Sequence, residues 1–199
     1  MNSTNICNLA LSALGKGQIQ SINEQSEMAR QCNMRYDHVR GLLLREFDWG
    51  FAKRLLRGAP LAAVYPGWRY VYAYPELCLS LRCIFNDRGV RRKTFGRKEY
   101  DTFLVTGSAQ AIGCNVDKAW FEYTYDVRDA ELFPADFTDA LIHRLAADMA
   151  VLLTGSERLR QQEYQLYQMA IYKAMVTTSN ERHERTKFPA KYLKARGGD

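Results

Sequence analysis

The feature that most constrains this chain is a change of hydrophobic period at Trp49-Gly50 and its reversal at Pro134. Ahead of the change, Ala29, Cys32, Tyr36, Val39, Leu43 and Phe47 recur every three or four residues, which is one apolar stripe on a helix. Ser26 is placed to cap that helix, with Glu27 in its first turn where a carboxylate favours the helix dipole. An earlier helix over about residues 4–14 sets Ile6, Leu9, Ala10 and Ala13 on one face and stops at Gly15 and Gly17. Between the two period changes, residues 51–128 alternate apolar with polar and are broken by Gly, Pro and Asn-Asp. Helical spacing resumes after Pro134, a residue suited to a first helical turn. Phe137, Leu141, Leu145, Met149 and Leu152 then line one face as far as Thr154-Gly155. Ser156 and Glu157 open a last helix to about residue 180, with Leu159, Leu166, Met169, Ala170 and Lys173 on one side and Tyr164, Tyr167, Ile171 and Ala174 widening it.

This order predicts an α+β protein. Residues 1–48 and 129–180 are expected to form a discontinuous antiparallel helical bundle, residues 49–128 an inserted small antiparallel β module, and residues 181–199 an extended basic tail with too few apolar residues to fold alone. Within the β module, Trp68, Tyr70, Tyr72 and Tyr74 alternate with smaller or charged residues, and Pro75 ends the run. Such a ladder could stack bases or sugar rings, or it could be a buried face with cross-strand aromatic partners on the 121–127 strand, where Phe121, Tyr123, Tyr125 and Val127 share a side. Leu77, Leu79, Leu81, Cys83 and Phe85 are expected on one strand face, opposite Cys78, Ser80, Arg82 and Ile84, followed by a turn at Asn86-Asp87-Arg88-Gly89. Residues 103–106 and 109–114 read as further strands.

The chain has 199 residues, with 28 Lys+Arg against 22 Asp+Glu. No apolar run approaches the roughly 20 residues of a membrane span, and no basic residue precedes the N-terminal apolar stretch, so neither a membrane partner nor a signal peptide is expected. Five cysteines at no framework spacing favour free thiols in a reducing cytoplasm, where the Asn2-Ser3-Thr4 sequon has no use. The net charge of +6 is confined to two segments of +3 each. One is residues 87–101, with Arg88, Arg91, Arg92, Lys93, Arg97 and Lys98. The other is the tail, with Arg182, Arg185, Lys187, Lys191, Lys194 and Arg196 around Phe188 and Tyr192. Both are either solvated charge runs or contacts for acidic protein surfaces or nucleic-acid phosphates.

No phosphate-binding loop, nucleophile elbow or zinc spacing is present. Cys78 and Cys83 point to opposite faces of a strand and cannot share a metal there. Asp139 and His143, four apart on a helix, could be a metal or acid–base pair but lack a third group, and otherwise simply support the helix. Asp136, Asp139 and Asp148 could be offered as glycosidase carboxylates, though other acidic residues would qualify equally. The sequence therefore names no catalytic, cofactor-binding or metal residue, and an enzyme is not expected.

Four segments carry a resemblance. They are Ile6-Cys7-Asn8-Leu9-Ala10-Leu11-Ser12-Ala13-Leu14-Gly15, Glu46-Phe47-Asp48-Trp49-Gly50-Phe51, Tyr70-Val71-Tyr72-Ala73-Tyr74-Pro75 and Leu132-Phe133-Pro134-Ala135-Asp136-Phe137-Thr138-Asp139-Ala140-Leu141. In order and spacing the chain resembles the tail tubular protein A family, the head-to-tail adaptors of short-tailed double-stranded DNA phages. The resemblance implies a virion protein at the portal vertex, assembled in the bacterial cytoplasm as a ring of typically twelve copies. Its implied partners are the portal protein, the tail nozzle, the tail fibres or spikes and the double-stranded DNA that passes through the channel without sequence-specific binding. It also implies that the helices form the ring wall and that the C-terminal segment reaches along the portal, while the 87–101 loop has no counterpart in the family pattern. A nucleic-acid-binding module and a tail polysaccharide hydrolase are the alternatives from other classes.

Overall fold

A computed structural model describes residues 1–86, 99–105 and 109–181. Among them, four helices and two small antiparallel sheets form a mixed α+β protein in the order α1 (Ser3–Ala13), α2 (Glu27–Glu46), β1 (Lys53–Arg57), β2 (Tyr70–Ala73), β3 (Cys78–Phe85), β4 (Tyr100–Val105), β5 (Ala109–Cys114), β6 (Trp120–Tyr125), α3 (Ala135–Thr154) and α4 (Glu157–Glu181). The six tail positions Arg182, Arg185, Lys187, Lys191, Lys194 and Arg196, with Phe188 and Tyr192, lie outside the described residues. So do Arg88, Arg91, Arg92, Lys93, Arg97 and Lys98 and the turn expected before them.

The helices begin and end on their own caps. Asn2 accepts a hydrogen bond from the Asn5 amide at the start of α1, and Ser26 accepts one from the Ala29 amide at the start of α2. Pro134 stands one position before α3, as its cap residue, and its carbonyl accepts from the Thr138 amide. Gly155 closes α3 in the left-handed region at φ 71°, which a side chain would strain. The face expected for α2 and most of that for α3 are buried, as are Ile6 and Ala10 of α1. Three expectations fail. Leu9 is exposed while Cys7 and Leu11 turn inward, Leu152 is exposed, and the buried face of α4 is Glu163, Tyr167, Ala170, Ile171 and Ala174, leaving Met169 and Lys173 in solvent. Both faces of α4 have the same 3.6-residue period, and the tertiary contact selects the one with small and aromatic residues.

One apolar core unites all four helices with Trp49, Ala52, Val127, Ala130 and Phe133. Its centre is a chain of edge-to-face rings, with Trp49 5.3 Å from Phe137, Phe51 5.0 Å from Phe137 and Phe133 5.1 Å from Phe137. The Trp49 indole donates to the Leu43 carbonyl at 2.7 Å and so fixes the turn that leaves α2.

The strands order as β1-β6-β3 in one sheet and β2-β5-β4 in the other, and a second, smaller core lies between them. The Trp68–Tyr74 ladder is therefore not a neighbour of the 121–127 strand. Tyr72 pairs with Ile112 of β5 and meets Phe121 of β6 from across the sheets, edge-to-face at 5.6 Å, while Tyr70 is exposed. Strand β3 also departs from simple alternation. It pairs Cys78 with Tyr125, Ser80 with Thr124, Leu81 with Tyr123 and Cys83 with Glu122, skipping Leu79 and Arg82 at two irregularities. Each skip moves the following side chains to the other face. As a result Cys78, Leu81 and Ile84 join the inter-sheet core, whereas Leu79 packs on the helical core. Gly113 has no side chain because Trp68 and Phe103 occupy its place: a Cβ there would stand 2.6 Å from the indole and 2.9 Å from the Phe103 ring.

Candidate functional site

The helical core and the sheets meet at two crossings, and a buried arginine holds each. At the first, where the chain leaves α2, Arg82 from β3 donates to the Trp49 carbonyl at 2.8 Å and to the Thr124 hydroxyl at 2.9 Å, and lies 3.2 Å from the Asp48 carboxylate. At the second, where the chain returns, Arg40 from α2 is only 3% exposed and reaches Asp126 and, at 2.7 Å, the Val127 carbonyl. Asp37 and Arg128 extend this network at its rim. Each side thus sends one arginine across to grip the other's backbone. Burial pushes the Asp126 carboxyl up, but hydrogen bonds and charge from Arg40 and Arg128 outweigh it and hold that carboxyl below its ordinary value.

His143 receives the third group that the sequence did not identify. Its Nδ1 lies 2.8 Å from the buried Glu163 carboxylate of α4, and its Nε2 lies 3.8 Å from Asp139. This ties α3 to α4, and among the described residues no three His, Cys, Asp or Glu side chains are arranged to hold a metal. Asp148 pairs with Arg144 at 3.3 Å. Asp136 is half-buried at the start of α3, while Asp139 and Asp148 face His143 and Arg144 respectively.

Beside this tie, a groove of about 560 Å³ runs between α2 and α4, lined by Leu42, Arg45, Glu46, Tyr164, Tyr167 and Met175 among others. Tyr167 donates to the Glu46 carboxylate across it. Burial, then this bond to a carboxylate, pushes the phenol well above its usual range. Arg144 lies over both tyrosines, about 5.5 Å from each ring centroid.

All five cysteines are free thiols, as their spacing predicts. Cys78 and Cys83 do lie on opposite faces, facing Tyr125 and Glu122. Cys7 and Cys32 are buried together between α1 and α2, and Cys32 also reaches the Met149 thioether at 3.7 Å. Hydrogen bonding to Cys32, and then burial, push the Cys7 thiol far up, which keeps it protonated and inert. No helix among the described residues is long and apolar enough to cross a membrane.

Sequence reasoning missed Arg40, Arg82, Asp126 and Glu163. A signal was available for two of them. Arg40 falls in register with the stripe of Tyr36, Leu43 and Leu44, and Glu163 stands four residues before Tyr167, so both are charges on an apolar line. Arg82 and Asp126 gave none, because irregular pairing and the end of a strand decide their direction.

Compared with known proteins, the chain matches no family model and no curated protein. The resemblance rests on its four segments alone.

Proposed function

We propose that this chain is a structural virion protein, a head-to-tail adaptor that docks beneath the portal of a short-tailed phage. In this reading twelve copies close a ring at the portal vertex, extend the channel for double-stranded DNA, and offer a platform to the tail nozzle and to fibres or spikes. The protein turns over no substrate and takes no cofactor. The helices act as an antiparallel bundle forming the ring wall, and the basic tail at 181–199 binds the portal. A ring needs two different complementary surfaces on each copy, and a helical part joined to a separate pair of sheets can supply them.

One observation supports this reading above the others. Two of the resembling segments, far apart in sequence, supply the aromatic cluster at the centre of the helical core: Phe47, Trp49 and Phe51 from one, Phe133 and Phe137 from the other. The same residues stand where the chain departs for the sheets and returns, so the shared pattern coincides with the joint on which such a two-part subunit depends.

The test is light-scattering mass after size exclusion, for the protein alone and mixed with the portal of the same phage. A monomer that converts to one large defined complex only with the portal is expected, and removal of residues 181–199 should abolish the conversion while leaving the fold intact. A monomer in both runs overturns the adaptor reading, and a salt-dependent titration with DNA then becomes the next measurement.

A further inference from the structure

Among the described residues, strand β1 is the open edge of its sheet. It pairs with β6 on one side, and all five of its residues are exposed, including Leu55 at 49% and Leu56 at 43%. The direction of its backbone groups follows from the bonds at its two ends. The Ala52 carbonyl accepts from Tyr125, and the Gly58 amide donates to Ala119. In an antiparallel pair the orientation alternates residue by residue, so Arg54 and Leu56 also face β6. The amides and carbonyls of Leu55 and Arg57 face outward, where no partner meets them among the described residues; the Lys53 amide is taken by the Gly50 carbonyl at 3.2 Å. Strand β2 makes the contrast. Its outer edge is covered by the chain itself, through bonds from Ala73 to the Ala59 carbonyl and from Leu61 to the Val71 carbonyl.

The side chains say what the edge would accept. Lys53, Arg54 and Arg57 give three cations in five residues with no carboxylate. Arg54 is held with its guanidinium 3.3 Å from the Tyr125 ring centroid, so its charge stays beside the edge. A basic edge repels a second copy of itself, which is one recognised defence against edge-to-edge aggregation. The protein's two basic segments are repelled for the same reason. A purely defensive edge has no use for two half-exposed leucines on opposite faces. Together, open hydrogen-bonding groups, positive charge and an apolar residue on each face match one occupant.

We propose that β1 is a strand-addition site for an extended acidic segment of a partner protein. That segment would set carboxylates opposite Lys53, Arg54 and Arg57 and apolar side chains opposite Leu55 and Leu56, with main-chain bonds to Leu55 and Arg57. The inference does not depend on the adaptor reading.

The probe is a capped peptide with the core Glu-Val-Val-Glu-Glu, complementary to β1 in the antiparallel direction, titrated into the full chain. Saturating peptide should slow hydrogen exchange at the Leu55 and Arg57 amides by roughly tenfold or more, with little change at Arg54 and Leu56. Leu55→Pro removes an outward amide without touching the β6 ladder, as proline on an edge strand allows, and should weaken binding at least about tenfold at an unchanged Tm. Arg57→Pro is the second variant, in case the first disturbs folding. No binding by the peptide, or binding that both proline variants leave intact, overturns the proposal. Equal binding by an oligothymidylate of the same charge also overturns it, since the edge would then be only a polyanion surface.

Discussion

The helical core and the inter-sheet core solve the same problem with different means. The first gathers 28 buried residues, many of them alanines that let helices approach, around one aromatic cluster. The second gathers only 8, six of which belong to β5, β6 and the turn between them, with Tyr72 meeting Phe121 edge-to-face. A large core spreads a lesion over many neighbours. A small one depends on register, so its tight points are places such as Gly58, where an added Cβ would stand 2.7 Å from the Tyr72 ring and 2.9 Å from the Phe121 ring. The arginine crossings couple the two.

The largest effect should come from Trp49→Ala. It empties the aromatic cluster and removes the bond to Leu43, and the expected loss is about 4 kcal/mol in urea unfolding. If the coupling holds, probes in the sheets and in the helices will report the same midpoint; separate midpoints would break the comparison into two independent units. Next is Arg40→Ala, which leaves Asp126 buried with only its rim partner and should cost about 3 kcal/mol. Its pH dependence carries a sign. Asp126 is held below its ordinary value, so its contribution is present above pH 3.8 and is lost as pH falls through the folded-state value. The gap between wild type and Arg40→Ala should therefore narrow below pH 3.8. A gap that widens there would assign the stabilisation to another group.

Gly113→Ala should cost about 2 kcal/mol by forcing Trp68 and Phe103 aside, more than the same change at the open Gly41 of α2, where helix propensity makes alanine stabilising. Equal responses would mean that the face of the β2-β5-β4 sheet turned away from the inter-sheet core yields more readily than its packing implies. The smallest effect should be a gain. The Tyr36 hydroxyl is buried without a hydrogen-bond partner among the described residues, and burial pushes the phenol up to about 12. Tyr36→Phe should stabilise by about 1 kcal/mol on thermal unfolding. A loss of that size would reveal a bond the hydroxyl makes in solution.

How much of this was legible in the sequence follows the same division. Helical elements could be placed from period and caps, because each bond of a helix lies within a few residues of its start. Which face of α4 turns inward could not be told, since Met169 and Tyr167 both fit the period and only the neighbouring helix separates them. The strands were readable as strands, but their partners were not. Strand order depends on which of several aromatic faces meet, and the irregularities at Leu79 and Arg82 reverse faces with no marker in composition. Strand β1 was missed because Lys-Arg-Leu-Leu-Arg has no alternation to read. Of the candidate chemistry, the Asp139 and His143 pair was visible, while Glu163 entered only through the packing of α4 on α3.

The aromatic and sulfur contacts that close the helical core also impose a timetable on synthesis. Cys32 must wait for Met149, 117 positions later, and Glu46 waits for Tyr167 over 121. At about 5–20 residues per second, that interval is roughly 6–25 s for a nascent chain. The strands between them are complete before the first residue of α3 emerges, so the sheets can form while the stripe of α2 still lacks its cover. During that interval the apolar side of α2 is open to chaperones, and a slow translation tract anywhere between α2 and Met149 would lengthen the exposure by its own delay.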